Sequence, residues 1–86
     1  MTIEDQLRAI LRDVLGLDAK RAAALDADTF LFGAMPELDS MAVAAVLTSL
    51  EERFGFTIAD DEVDAAAFAT VGSLVAFVEG KLETAR

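Results

Sequence analysis

The sequence predicts an all-α fold, and three observations carry that prediction. Apolar residues recur at helical spacing in three separate stretches. Much of the 55% hydrophobic fraction is alanine, the strongest helix former. There is no Tyr, no Trp and no sustained alternation of apolar and polar residues to announce strands. The expected architecture is a four-helix bundle with three longer helices, one short third helix and a long loop between the first two helices. Residues 1–86 read as a single domain. A chain of 86 residues buries about 60–65% of its unfolded surface, enough for one modest core and not for a deep catalytic cavity.

The first helix is expected from Ile3 to Leu17, where Ile3, Leu7, Ile10, Leu11, Val14 and Leu17 form one stripe. Thr2 is placed as its N-cap with Asp5 in the capping-box position, Glu4, Arg8 and Arg12 stand four apart on the opposite face, and Gly16 is a stop signal. From Asp18 to Leu38 no helical period is sustained. Asp26-Ala27-Asp28-Thr29 and Gly33-Ala34-Met35-Pro36 read as turns, while Leu25, Phe30, Leu31 and Phe32 are apolar enough to lie across the bundle as an ordered loop.

The second long helix spans Met41 to Phe54, with Val43, Val46, Leu47, Leu50 and Phe54 on the core face, Asp39 or Ser40 at its N-cap and Gly55 at its end. Its other face carries Met41, Ala44, Ala45, Thr48, Glu51 and Glu52, a stripe that begins beside Ser40. After the connector Phe56-Thr57-Ile58, the acids Asp60-Asp61-Glu62 suit the positive end of a short helix reaching Ala67. Thr70 caps the last helix, built on Val71, Leu74, Val75, Val78 and Leu82. Gly80 weakens its final turns, and Glu83 to Arg86 are expected to fray. The six phenylalanines are read as core.

Composition excludes several functions. A formal net charge of −9 repels phosphate backbones and anionic membranes and favours basic protein surfaces. With no His and no Cys, the commonest general base, the thiolate nucleophile and the disulfide are all absent. The acidic clusters fail as calcium loops: a count from Asp26 puts Leu31 where the turn needs Gly, and one from Asp60 puts Ala65 there. The longest apolar run, Met41 to Leu47, is far short of a membrane span, and the chain is read as soluble, cytoplasmic, monomeric and not an enzyme.

Chemistry concentrates in Leu38-Asp39-Ser40-Met41, where a Pro-containing loop gives way to an amphipathic helix. Ser40 is either a plain cap or a hydroxyl held out for modification. The triplet Asp39-Ser40-Met41, the helix ending Leu50-Glu51-Glu52-Arg53-Phe54, then Ile58, the acids Asp60-Asp61-Glu62 and Thr70-Val71 together resemble the acyl carrier protein family over nearly the whole chain. The resemblance implies that a phosphopantetheinyl transferase moves 4'-phosphopantetheine from coenzyme A onto Ser40. It implies an acyl group carried there as a thioester and delivered to partner enzymes, an acyl or aminoacyl ligase, a synthase or a transferase with a basic docking patch. The partner surface is placed on Asp39, Met41, Ala44, Ala45, Thr48, Glu51 and Glu52.

The chain departs from that family's pattern in three places. Met41 stands for the usual Leu. Gly33 lies seven residues before Ser40 instead of three, as if Met35-Pro36-Glu37-Leu38 were inserted. Ala42 and Ala45 occupy positions that are usually acidic in fatty-acid carriers, leaving Asp39 and Glu37 as the acids nearest the serine. These departures point to a carrier of a specialised biosynthetic pathway, involving lipid, polyketide or exopolysaccharide chemistry. The alternatives are an aminoacyl or peptidyl carrier, or an unmodified acidic helical adaptor in which Ser40 only caps. The excess acid also strains the fold electrostatically, so added salt or divalent cations are expected to raise the melting temperature. A flat melting temperature across a salt series would refute this.

Overall fold

In the computed structural model, which describes residues 2–59 and 61–84, four helices follow in order: α1 (Ile3–Leu15), α2 (Ala19–Ala24), α3 (Ser40–Phe54) and α4 (Val71–Thr84). The all-α expectation holds, and among the described residues the β-type pairing is one isolated bridge, Phe30 with Thr70. α1 begins as its sequence dictates. The Thr2 hydroxyl accepts from the Asp5 N–H at 3.1 Å while the Asp5 carboxylate accepts from the Thr2 N–H at 3.2 Å, a reciprocal cap. Arg8 pairs with Glu4 one turn back at 3.0 Å. Gly16 then takes the left-handed conformation, φ 66°, and ends the helix two residues before the expected Leu17, which still folds back into the core.

α1 packs against α2, α3 and α4, and the buried centre is formed by Leu7 and Leu11 of α1, Val46 and Leu50 of α3, and Val71, Leu74 and Val78 of α4. Leu31 from the connection between α2 and α3 is also fully buried. At such sites truncation of a leucine to alanine costs about 2–5 kcal/mol.

The short helix stands elsewhere than expected: it is the second element, α2, and residues 61–69 coil in turns. α2 escapes a periodicity search because six residues, Ala-Lys-Arg-Ala-Ala-Ala, bury only Ala22 and so carry no stripe. Its composition favours helix, and the Asp18 carboxylate caps it by accepting from the Arg21 N–H at 2.8 Å. In the later stretch the acids serve two separate turns. Glu62 closes the first, its carboxylate accepting from the Ala59 N–H at 2.8 Å while its own N–H donates to the Ala59 carbonyl at 3.0 Å. Asp64 opens the second, accepting from the Ala67 N–H at 3.2 Å. From there Ala67, Phe68 and Ala69 donate in turn to the carbonyls three residues back. Asp60 lies outside the described residues.

The connection from Leu25 to Asp39 is ordered, but only two of the four apolar residues expected to lie across the bundle do so. Leu25 and Leu31 are buried, whereas Phe30 and Phe32 are 68% and 47% exposed. The cause is local. Residues 30–32 run extended beside 68–70, with Leu31 N–H on the Ala69 carbonyl and Phe32 N–H on the Phe68 carbonyl, both at 2.9 Å. Alternate side chains then face opposite ways, and burying Leu31 sends both neighbours outward. Among the other phenylalanines, Phe56 and Phe68 are buried and Phe54 and Phe77 half-buried, with Phe54 and Phe56 stacked at 5.9 Å. α4 runs past Gly80 to Thr84, so Glu83 and Thr84 are helical; residues 85–86 lie outside the described residues.

The same pairing supplies the start of α4. The Val71 N–H donates to the Thr29 carbonyl at 3.0 Å and the Gly72 N–H to the Ala27 carbonyl at 2.9 Å. Thr70 and Ser73 exchange side-chain and backbone bonds at 3.0 Å, completing the expected cap. The close approach requires glycine at 72: a Cβ there would stand 2.9 Å from the Ala27 carbonyl oxygen. Gly72→Ala, a change that ordinarily stabilises a helix by up to about 1 kcal/mol, is therefore expected to cost about 1–3 kcal/mol in urea unfolding. Equal or greater stability would mean that this contact is loose.

Candidate functional site

Helix α3 starts at Ser40 itself, with Asp39 as the cap. The Asp39 carboxylate accepts from the Ala42 N–H at 2.9 Å, and its carbonyl accepts from the Val43 N–H at 2.8 Å. That settles the choice between Asp39 and Ser40 as cap and releases the serine hydroxyl from this duty. Ser40 is exposed, its Oγ makes no hydrogen bond among the described residues, and the Ser40 and Met41 N–H groups also have no partner there. A helix N-terminus with free N–H groups favours an anion. The first turn of α4 offers no such opening, because carbonyls of residues 27 and 29 occupy it.

The other two serines are differently placed. Ser73 is held in the α4 cap, accepting from the Thr70 N–H and donating at 2.9 Å to the carbonyls of Ala67 and Thr70. Ser49 is half-buried in a groove between α1 and α3, beside Ile10 and Val14. Ser40 alone of the three combines exposure with an uncommitted hydroxyl at a helix start.

Beside Ser40 the expected partner surface is only partly assembled. Met41 is 83% exposed, and Ala44, Ala45, Thr48 and Glu52 are exposed with it along α3. Glu51 is half-buried and turned to another task, its carboxylate accepting from the Ile58 N–H at 2.7 Å and thereby tying the end of α3 to the connector. Glu37, counted from sequence among the acids near the serine, forms an ion pair with Arg21 of α2. The Arg21 hydrogen bond holds its carboxyl below the usual carboxylate range. From Ser40 to Leu50 the helix carries no charge at all.

Sequence reasoning did not find Arg21, because no local pattern links positions 21 and 37. It also did not find the apolar cleft of about 240 Å³ that opens beside α3, lined by Phe32, Val43, Val63, Ala65 and Phe68 with Asp64 at its edge. Val43 lies three residues after Ser40 and so on the same side of the helix. A second groove of about 250 Å³ runs further along, between Ala44, Leu47 and Thr48 and the connector residues Ile58 and Val63. Among the described residues no cluster of acids could hold a metal ion, and no helix is long and apolar enough to cross a membrane.

Residues 5–78 match the protein family described as a phosphopantetheine attachment site. The chain is similar to the acyl carrier protein of Chlamydia muridarum, 29% identical over 82 residues that cover 92% of this chain and 95% of that protein. It is similar to the acyl carrier protein of Chlamydia trachomatis serovar L2 at 30% identity and the same coverage. The fold is similar to the solution NMR structure of a holo acyl carrier protein from Nitrosomonas europaea, with a TM-score of 0.86 and 51% identity over 96% of this chain and 99% of that one.

The capping geometry separates two roles of Asp39. Asp39→Ala removes the bond to the Ala42 N–H and is expected to cost about 1 kcal/mol of stability, whereas Asp39→Asn keeps an oxygen at the cap and costs only a few tenths. Urea unfolding of both variants checks this. Equal losses would mean that the charge at the helix end matters more than the bond.

Proposed function

This chain belongs to the acyl carrier protein family, a carrier rather than an enzyme, and we propose that Ser40 is where it bears its covalently attached 4'-phosphopantetheine. The observation that carries the reading is the state of the α3 N-terminus: an exposed, unbonded hydroxyl flanked by the free N–H groups of Ser40 and Met41. In the modification, the Ser40 oxygen forms a bond to the phosphorus of coenzyme A next to the pantetheine and the pyrophosphate link breaks. The adenosine bisphosphate departs, and the hydroxyl proton goes to a base, a role left to the transferase here because the adjacent Asp39 carboxylate is engaged with the Ala42 N–H.

The residues present fit the group. The phosphodiester carries one negative charge, which the positive end of α3 and two unpartnered N–H groups favour. The adjacent Asp39 carries a charge of the same sign as the phosphodiester, and its carboxylate is engaged with the Ala42 N–H. When bound, the arm supplies the thiol that this cysteine-free chain lacks and so the thioester on which an acyl group is carried. The chain's own task is to hold Ser40 outward and to present the face beside it.

The carrier works with a phosphopantetheinyl transferase and with acyl-handling enzymes. Those enzymes we place in a specialised biosynthetic pathway, meeting a single-domain, monomeric, cytoplasmic carrier along α3. The support is the uncharged stretch from Ser40 to Leu50 together with the loss of Glu37 to Arg21. A basic docking patch on a partner would meet Glu52, while the centre of the face, Met41, Ala44, Ala45 and Thr48, asks for apolar contact. Such a face also suits a carrier of aminoacyl groups. The unmodified-adaptor alternative is set aside by family membership.

Intact mass before and after incubation with coenzyme A and a broad-specificity phosphopantetheinyl transferase tests the site. The native chain is expected to gain one phosphopantetheine and Ser40→Ala none. A gain in the Ser40→Ala variant, or none in a folded native chain, would overturn the assignment.

A further inference from the structure

The chain reaches Ser40 through a short segment that is fastened at several points. Ala34 and Met35 donate to the Leu31 carbonyl at 3.1 and 2.9 Å, Leu38 donates to the Met35 carbonyl at 3.0 Å, and the Leu38 side chain is buried. Between these anchors stands Glu37, two residues before the cap of α3. Its Oε2 accepts from Arg21 on α2, sixteen positions upstream, and its Oε1 is shut off from solvent with no partner. Among the described residues, this is the polar contact that α2 makes with the segment. α2 is itself fixed, capped by Asp18 and seated on α1 through the buried Ala22 between the buried Leu17 and Leu25.

We propose that the Arg21–Glu37 ion pair is a positioning device for Ser40, with Arg21 acting through Glu37 to hold the 35–39 segment so that the serine is presented to the transferase. The inference rests on Ser40 as the acceptor. Its physical basis is an asymmetry. Glu37 has one oxygen that accepts from Arg21 and one that no other residue reaches, so removing Arg21 leaves a half-buried carboxylate with no donor but its own backbone N–H. An unpaired charge withdrawn from water costs more than the pair was worth. The carboxylate then swings out to water and the turn between Met35 and Leu38 loosens. Fewer molecules hold Ser40 ready, which weakens apparent binding by the lost fraction and leaves the chemical step untouched once the complex forms. Removing both partners relieves the stranded charge, so the double variant is expected to behave better than the single one.

The test follows transfer from coenzyme A by intact mass over time, at varied carrier concentration, for the native chain, Arg21→Ala, Glu37→Gln and Arg21→Ala/Glu37→Gln. Arg21→Ala is expected to raise the transferase KM for the carrier about three- to fivefold with kcat unchanged. The double variant is expected to fall between Arg21→Ala and native, relieved of the stranded charge but still without the brace. A native KM for Arg21→Ala, a fall confined to kcat, or additive losses in the double variant would overturn the positioning role. Amide hydrogen exchange gives a readout independent of transfer, and it decides the matter should Arg21→Ala misfold. In Glu37→Gln the Leu38 amide is expected to exchange faster while the α1 amides stay as slow as in the native chain. An unchanged Leu38 amide would overturn the proposal. A folded native chain that gains no mass overturns the reading of Ser40 instead, whereas normal gain with a native KM in Arg21→Ala removes only the brace.

Discussion

The structure depends on the pairing of residues 27–32 with 68–72. Four backbone bonds, from Leu31 to Ala69, Phe32 to Phe68, Val71 to Thr29 and Gly72 to Ala27, join the two irregular connections of a helical protein. They bury Leu31 at the centre of the core and turn Phe30 and Phe32 outward. They also satisfy the first N–H groups of α4, which would otherwise lack partners. Without this pairing the connection between α2 and α3 would have to be held by its side chains alone, and ordering that many residues is costly. The consequence for function is a difference between two helix starts. One is closed by the chain's own carbonyls, and the other, at Ser40, remains open.

Electrostatics follow the same division. Three of the acids that pair are Asp5 with Arg8 on α1, Glu37 with Arg21 ahead of α3, and Glu62 with Lys81 at 2.7 Å between the connector after α3 and α4. In each case the cation's hydrogen bond lowers the carboxyl's pKa. Lys81 also lies 5.9 Å from the Phe56 ring centre, so one cation fastens both halves of the connector that follows α3. The excess negative charge is thus spread over the rest of the surface, while α3 from Ser40 to Leu50 carries none.

How much could be read in advance depended on how local each signal was. Thr2 with Asp5, Gly16, Gly55 and Thr70 were legible because caps and left-handed stops are written within three or four residues. The stripes of α1, α3 and α4 were legible because burial repeats along each helix. α2 was not, since one buried alanine makes no period. The acids at 61–64 misled because carboxylates close turns as readily as they open helices, and only their partners Ala59, Ala67 and Lys81 distinguish the two. At the site, Ser40 stands out from its neighbours in sequence. Arg21 and the cleft beside Val43 depend on contacts between distant positions, which no local pattern encodes.

The exposed face of α3 does little to hold the fold. Met41, Ala44, Ala45, Thr48 and Glu52 project away from the core, and the helix is secured by Val46, Leu50 and the bond from Glu51 to the Ile58 N–H. Substitutions along that face are therefore nearly free in folding energy, and on the proposed reading of α3 as the docking face, selection acting on it would answer to the enzymes the carrier meets. A chain built this way can change its clientele by drift over four or five surface positions while its scaffold stays under separate constraint. For an engineer, the same positions are where the proposed docking face can be altered without the carrier first being restabilised.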